Sequence, residues 1–300
     1  MSHFATLRFA RSVAAPLATL WQAWTAPAAR ALWSAPTPEV EVEFLEANPL
    51  PGGREVSLCR VAGQPDIRCE ATWLELEPLA RSVACETVSA EGETRSSALI
   101  TAEFSSVANG LQDESRISLT VQLSARQAQM ESGYRMGFEA GLRQLEDVAR
   151  RCMVLRREIA APRAQVWQAW MNPETLPQWW GPEGFSCRTQ RIALHAGGEW
   201  VFDMIAPDGT VFPNHHRYHD MQPQSRFAYS LHWGENGPKH ADAWASFEDS
   251  PGPDGKATGT LVTLGMVFST EAEFQNARSF GAEALGLQTL GKLARFVGAA

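Results

Sequence analysis

The residues best suited by type to do chemistry crowd into one stretch: His215, His216, His219 and Asp220, followed by His232, His240 and Asp242. Imidazole and carboxylate groups at this density suggest a bound divalent ion, zinc being the usual occupant of such ligand sets. The spacing argues against it. On an extended strand His215 and His216 point to opposite faces. His215 and His219 share a face but stand about 13 Å apart at roughly 3.3 Å per residue, too far for one ion with bonds near ~2.1 Å. A tight turn at Pro223-Gln224 reopens one pairing, because it would set His215 across from His232. The expectation is therefore solvated strand histidines, or a single polar group in a pocket, with no metal and no cofactor.

Other catalytic patterns are missing from the sequence. There is no Gly-x-Ser-x-Gly elbow, no Gly-x-Gly-x-x-Gly after a strand and no phosphate-binding loop ending in Lys-Ser or Lys-Thr. Glu183 and Asp203 could serve as acid or base, although surface roles suit both, and no catalytic residue is assigned. A net charge of −8 argues against nucleic acid, whose backbone demands clustered Lys and Arg. The five cysteines form no CxxC pair, as expected of reduced thiols in a cytoplasm. The N-terminus lacks the apolar run of a signal peptide, and no window approaches the ~18 apolar residues of a membrane span. The expectation is a cytoplasmic protein with no membrane partner.

The elements that must position these residues are organised around residues 161–185, APRAQVWQAWMNPETLPQWWGPEGF. Pro162 suits a first helical turn. Val166, Trp167 and Trp170 make one apolar stripe, and Leu176, Trp179 and Trp180 a second after the break at Asn172-Pro173. Helices this short do not stand alone in water, so they must close over something, most plausibly the mouth of a sheet. The same grammar occurs earlier: Pro16, Trp21, Trp24, Pro27, Trp33 and Pro36 precede Pro162, Trp167, Trp170, Pro173, Trp179 and Pro182 by 146 positions. Gly52-Gly53 and Pro78 precede Gly197-Gly198 and Pro223 by 145. A repeat this long is a duplicated domain rather than a solenoid unit. The expected domains are 1–151 and 152–300. No Ser-, Gly- or Pro-rich linker parts them, so the expectation is close docking, a pseudo-dimer within one chain; a homodimer stays open.

Each half reads as a strand, two short helices, six strands and a long helix. Strands are expected at 4–13, 39–46, 54–61, 67–76, 81–88, 98–107 and 116–123, then at 154–160, 185–194, 199–205, 211–221, 226–233, 241–247 and 260–268. Turns are expected at 108–110 and 251–259, among others. Ser124–Gln127 and Thr270–Glu273 carry capping-box patterns that would open long helices over 125–150 and from 270 onward. Gly133, Gly137 and Gly141, four apart, signal either close packing on the sheet or room for a ligand. An antiparallel sheet of this length curls, and only the long helix can cover its apolar side, leaving a cavity between them.

Trp179-Trp180-Gly181-Pro182-Glu183-Gly184-Phe185, then Gly197-Gly198-Glu199-Trp200, then Pro207-Asp208-Gly209, resemble the SRPBCC (START-like) superfamily. The branch is that of the heat-shock protein 90 ATPase activator homologues, which includes CalC-like proteins. The resemblance covers 153–297; in the first half, with Leu-Trp-Ser-Ala-Pro in place of Trp-Trp-Gly-Pro, it rests on the repeat. It implies an α+β fold of two tandem helix-grip (START-like, Bet v-type) domains, each a curved antiparallel sheet of about seven strands on a long C-terminal helix with two short helices. It also implies a hydrophobic pocket, while fold alone assigns no chemistry. Where the family carries a Gly, this chain has His216, which would make that pocket smaller and more polar.

The leading expectation is non-catalytic binding of a small hydrophobic or aromatic molecule in the second domain. The residues expected to line the site are Trp180, Phe185, Trp200, Phe202, Met204, Phe212, His216, Tyr218, Trp244, Phe274 and Phe280. The first domain is expected to act as a structural partner. Two alternatives stay open: a cyclase, dehydratase or hydrolase using His216 or Asp203, and a chaperone-associated or other protein-interaction module.

Overall fold

The computed structural model describes residues 2–107, 114–251 and 257–298. The chain forms two compact units, Met1–Arg150 and Arg151–Ala300. Unit 1 runs β1 (His3–Val13), α1 (Leu17–Thr25), α2 (Pro27–Trp33), β2 (Val40–Ala47), β3 (Arg54–Val61), β4 (Ile67–Glu77), β5 (Arg81–Ala90), β6 (Glu93–Ser106), β7 (Ser115–Ala125) and α3 (Gln129–Arg150). Unit 2 runs β8 (Cys152–Ile159), α4 (Arg163–Met171), α5 (Leu176–Trp179), β9 (Ser186–Ile192), β10 (Glu199–Ile205), β11 (Val211–Gln222), β12 (Arg226–His232), β13 (Lys239–Pro251), β14 (Ala257–Phe268), α6 (Glu271–Ser279) and α7 (Ala282–Gly298).

The two sheets have one topology. Their strand orders are β1-β7-β6-β5-β4-β3-β2 and β8-β14-β13-β12-β11-β10-β9, antiparallel throughout. This is the α+β helix-grip plan, built twice. The repeat extends to single hydrogen bonds. Ser115 Oγ donates to the Ala15 carbonyl at 2.8 Å, and Thr260 Oγ1 to that of Ala161 at 2.7 Å. The Trp33 indole donates to the Ala23 carbonyl at 2.7 Å, and Trp179 to that of Ala169 at 3.0 Å. In both units a ring N–H ties the second short helix to a carbonyl the first leaves free at its end.

Three expectations about helices and loops change. Ser124 belongs to β7, paired with Phe4, so the capping box at 124–127 does not form and α3 begins at Gln129. Alternation of apolar side chains carries the strand through Ala125 and outweighs the local cap signal. The last helix of unit 2 is broken: Gly281 takes φ +78, a left-handed conformation open to glycine, and separates α6 from α7. Thr270 does cap α6, its Oγ1 accepting from the Glu273 N–H at 3.1 Å. β13 and β14 extend to Pro251 and from Ala257, shortening the loop expected at 251–259; its residues 252–256, and the turn expected at 108–110, lie outside the described residues.

The core of unit 2 sits on the sheet face that carries Trp200, Phe202, Tyr218, Phe227, Tyr229 and Phe247. Leu290, Leu293 and Val297 of α7 close it, with Trp170 and Trp179 at one end. Among the described residues no helix is long and apolar enough to cross a membrane.

Candidate functional site

Register decides which side chains meet. β10 pairs with β11 through Trp200↔His216 and Phe202↔Asn214, and β11 with β12 through Tyr218↔Tyr229. Directly paired residues share a face, so Trp200, Phe202, His216, Tyr218 and Tyr229 all project towards the core. The His216 ring is boxed in: its centroid lies 4.9 Å from that of Tyr229, 5.0 Å from Phe202, and 5.5 Å from both Trp200 and Trp180. Trp200 and Phe202 stack at 3.7 Å, and Trp200 Nε1 donates to Thr189 Oγ1 at 3.0 Å.

His216 is only 3% exposed, and Tyr218 and Tyr229 only 2% each. Yet among the described residues no hydrogen bond reaches either His216 ring nitrogen or either tyrosine hydroxyl. Burial, reinforced by His240, His215 and His232 nearby, pushes the His216 pKa down to about 3. The imidazole is therefore neutral at pH 7, with one donor and one acceptor uncommitted. Burial likewise holds the Tyr218 and Tyr229 hydroxyls in their neutral, donating form.

Over this box lies the loop that leaves α5. Trp180 is half-buried and touches the rings of Trp170, Trp179, Trp200 and His216 at 5.5–6.0 Å. Gly181 at φ +90 and Gly184 at φ +78 bend the chain back, and Met204 Sδ packs against Gly181. Lys292 of α7 holds the turn. Its Nζ lies 3.4, 3.4 and 3.2 Å from the carbonyl oxygens of Trp180, Pro182 and Phe185. A compact ammonium with three rotatable donors matches three converging carbonyls. Unit 1 solves the same problem with Gln144, whose Nε2 donates to the Ala35 carbonyl at 2.6 Å. Lys292→Met is expected to cost about 1–3 kcal/mol by stripping the donor from half-buried acceptors. Faster amide exchange across residues 181–185, with the sheet unchanged, is the measurement that checks it.

The other residues expected at the site scatter. Met204, Phe185 and Phe212 stand at the edge: Met204 and Phe185 are half-buried, Phe212 is 39% exposed, and the Phe185 and Phe212 rings lie 6.3 Å apart. Trp244 faces the other way. It pairs with Ala228 and Gly265, one residue out of step with Ala243 and Tyr229, and its indole lies over Gly265 on the opposite face of the sheet. Phe280 is 56% exposed at the break between α6 and α7, because that break resets the helical phase. Phe274 packs on Phe268 at 5.7 Å, at the α6 side of the core.

The remaining histidines belong to the outer face. His215 does stand across from His232, rings 5.7 Å apart, and its Nε2 lies 2.7 Å from Glu199 Oε2. His240 stacks on Trp233 at 4.1 Å with neither ring nitrogen partnered, and His219 sits in the bulge between Tyr218 and Asp220. Among the described residues no group of three or more His, Cys, Asp or Glu side chains converges as metal ligands. Asp203 also points outward, accepting from Arg188 Nη2 at 2.7 Å and Gln190 Nε2 at 3.0 Å, so it cannot act with His216. Glu183 is exposed and pairs with Arg295.

With this geometry in place the comparisons with known proteins can be read. The family model described as "Activator of Hsp90 ATPase homolog 1-like protein" matches residues 14–150 and again 160–298. The chain belongs to that family, twice over. Solved structures similar to one half of it include a protein from Nitrosomonas europaea (22% identity, 50% of this chain and 96% of that one, TM-score 0.45). Others come from Mycobacterium smegmatis (18%, 51% and 94%, 0.45) and Arthrobacter aurescens (20%, 51% and 90%, 0.45). No curated protein matches the chain.

Tyr229 and Lys292 escape a reading of sequence. Tyr229 sits in an ordinary alternating strand, and nothing local to Lys292 points to carbonyls more than a hundred positions away.

Proposed function

We propose that unit 2 binds a small, largely aromatic or hydrophobic molecule carrying one hydrogen-bonding group, without transforming it. One observation carries this reading: the neutral His216 imidazole, enclosed by four aromatic rings, has no hydrogen-bond partner for either nitrogen among the described residues. Buried polar groups are nearly always satisfied, by protein, water or ligand. The Tyr218 and Tyr229 hydroxyls share that condition, which gives the ligand's polar group three partners on one face. Aromatic neighbours supply the apolar area, and half-buried Trp180 lies where the ligand would pass. Among the described residues no carboxylate, thiol or hydroxyl is hydrogen-bonded to His216 as a base–nucleophile pairing would need, which favours binding over catalysis. On this reading the protein is cytoplasmic and its partner is a small molecule rather than a nucleic acid.

Native mass spectrometry of the purified protein, before and after organic extraction, tests occupancy. Titration with a phenolic probe, followed by tryptophan fluorescence, tests the site: His216→Leu is expected to weaken binding roughly tenfold, the worth of one or two hydrogen bonds. Equal affinity in the variant would remove His216 from the site.

A further inference from the structure

The inner face of unit 1 differs from that of unit 2 at the positions that matter. With the strands aligned by register, Trp200, Phe202, His216 and Tyr229 correspond to Glu55, Ser57, Ala71 and Ala84. Four ring-bearing side chains give way to two alanines, a serine and a carboxylate. Leu231, the neighbour of His216 across the hairpin, becomes Glu86, the neighbour of Ala71. Unit 1 thus carries smaller side chains at these four positions, beside an ionisable group.

Glu86 is half-buried, and burial raises its pKa. Its Oε1 accepts from the Tyr134 hydroxyl of α3 at 2.9 Å, and Ser96 Oγ donates to that hydroxyl at 3.3 Å. Apolar walls stand close by: Val88 lies two residues along β5, the Phe138 ring lies 6.1 Å from that of Tyr134, and the Phe9 ring 5.7 Å from that of Phe138. Nearby, the Arg30 guanidinium is set among Trp24, Trp33, Phe44 and Trp73 at 5.3–5.8 Å and donates to Glu55 Oε1 at 2.7 Å. Glu55 is only 6% exposed, and its second oxygen has no partner. The charge count is unequal: two buried carboxyls face one guanidinium already committed to one of them.

We propose that unit 1 holds a second, chemically distinct site, which takes a small organic cation: an ammonium set against Glu86, carried on an apolar body that packs on Phe9, Phe138 and Val88. The cation supplies the missing positive charge, and the apolar body packs where unit 2 carries rings. Burial raises the Glu86 pKa; Tyr134 and Arg30 work against that rise, Glu55 adds to it, and the thiols of Cys59 and Cys69 lie on the same face. An ammonium against the carboxyl favours its ionised form and so opposes that rise. Unit 1 is then a ligand-binding domain in its own right, not only a structural partner.

Titration calorimetry of the full-length protein with phenethylammonium, and with 2-phenylethanol as its neutral counterpart, decides the matter. The amine is expected to bind more tightly than the alcohol. Glu86→Gln, which keeps the shape and the hydrogen-bond acceptor, should weaken the amine at least tenfold and leave the alcohol unchanged. His216→Leu should leave the Glu86-dependent share of amine binding unchanged and weaken only what is bound in unit 2, which separates the two sites. Equal binding of amine and alcohol, full amine affinity in Glu86→Gln, or no binding at millimolar amine would each overturn the proposal. Tighter binding of the amine than of the alcohol by the native protein decides it even if Glu86→Gln folds poorly.

Discussion

Acidification from pH 6.5 towards 3 is expected to strip stability from unit 2, and His216 is the main reason. Its ordinary pKa is near ~6.5, but in the folded protein it is pushed down to about 3 because the charged ring would sit among aromatic rings with nothing to solvate it. Between these values the unfolded chain takes up a proton that the folded chain refuses. The stabilisation is whole above the unfolded pKa and falls with pH until the folded pKa is passed. At its steepest the loss is about 1.4 kcal/mol per pH unit. His240, held down to about 4 by its own burial and by His232, adds to the same slope. Urea unfolding of the native protein and of His216→Leu at pH 7, 5.5 and 4.5 isolates the His216 share. The variant should match or exceed the native protein at pH 7, where an unpaired polar group gives way to an apolar one. It should pull ahead as the pH falls. Parallel curves would mean that the ring is protonated without penalty, and the neutral-donor role assigned to it would fall with them.

Trp179→Ala should destabilise unit 2 by about 3–5 kcal/mol, the range for an aromatic deleted from a packed core. Trp179 is 1% exposed, meets Trp170 edge-on at 4.9 Å and Trp180 at 5.7 Å, and satisfies the Ala169 carbonyl. The variant therefore leaves a cavity at the floor of the loop that carries Trp180, and the Ala169 carbonyl keeps only the Thr175 hydroxyl, at 3.0 Å. Trp33→Ala should do comparable damage to unit 1, where Trp33 stacks on Trp24 at 5.3 Å, satisfies Ala23 and flanks the Arg30 guanidinium. Thermal unfolding with residue-resolved hydrogen exchange tells which unit has melted. An effect below about 1 kcal/mol at either position would show that the two helices do not depend on their indole.

Much of the site's chemistry was present in the sequence as residue types without addresses. His216, Trp180, Trp200, Phe202 and Tyr218 were legible because alternation on a strand and a stripe on a short helix are local signals. Trp244 and Phe280 were not. A strand's two faces differ by one residue, and a helix's phase is lost at a single left-handed glycine. The bulges between Val201 and Phe202 and between Tyr218 and Asp220 make such steps invisible to counting.

What the amino-acid order alone determined was the architecture: Trp, Gly and Pro recurring at a constant offset required two copies of one fold, and the short Trp-bearing helices required a sheet to close. Tertiary structure alone decided which side chains meet in each copy. Glu86 looks like a solvent-facing glutamate in an alternating strand, and Ala71 and Ala84 look like nothing at all. Only when β4 and β5 lie in register beneath α3 do they come together, with Glu86 hydrogen-bonded to Tyr134. The reason is distance along the chain: these contacts join residues tens of positions apart, and side-chain volume, unlike periodicity, takes on meaning only once its neighbours are known.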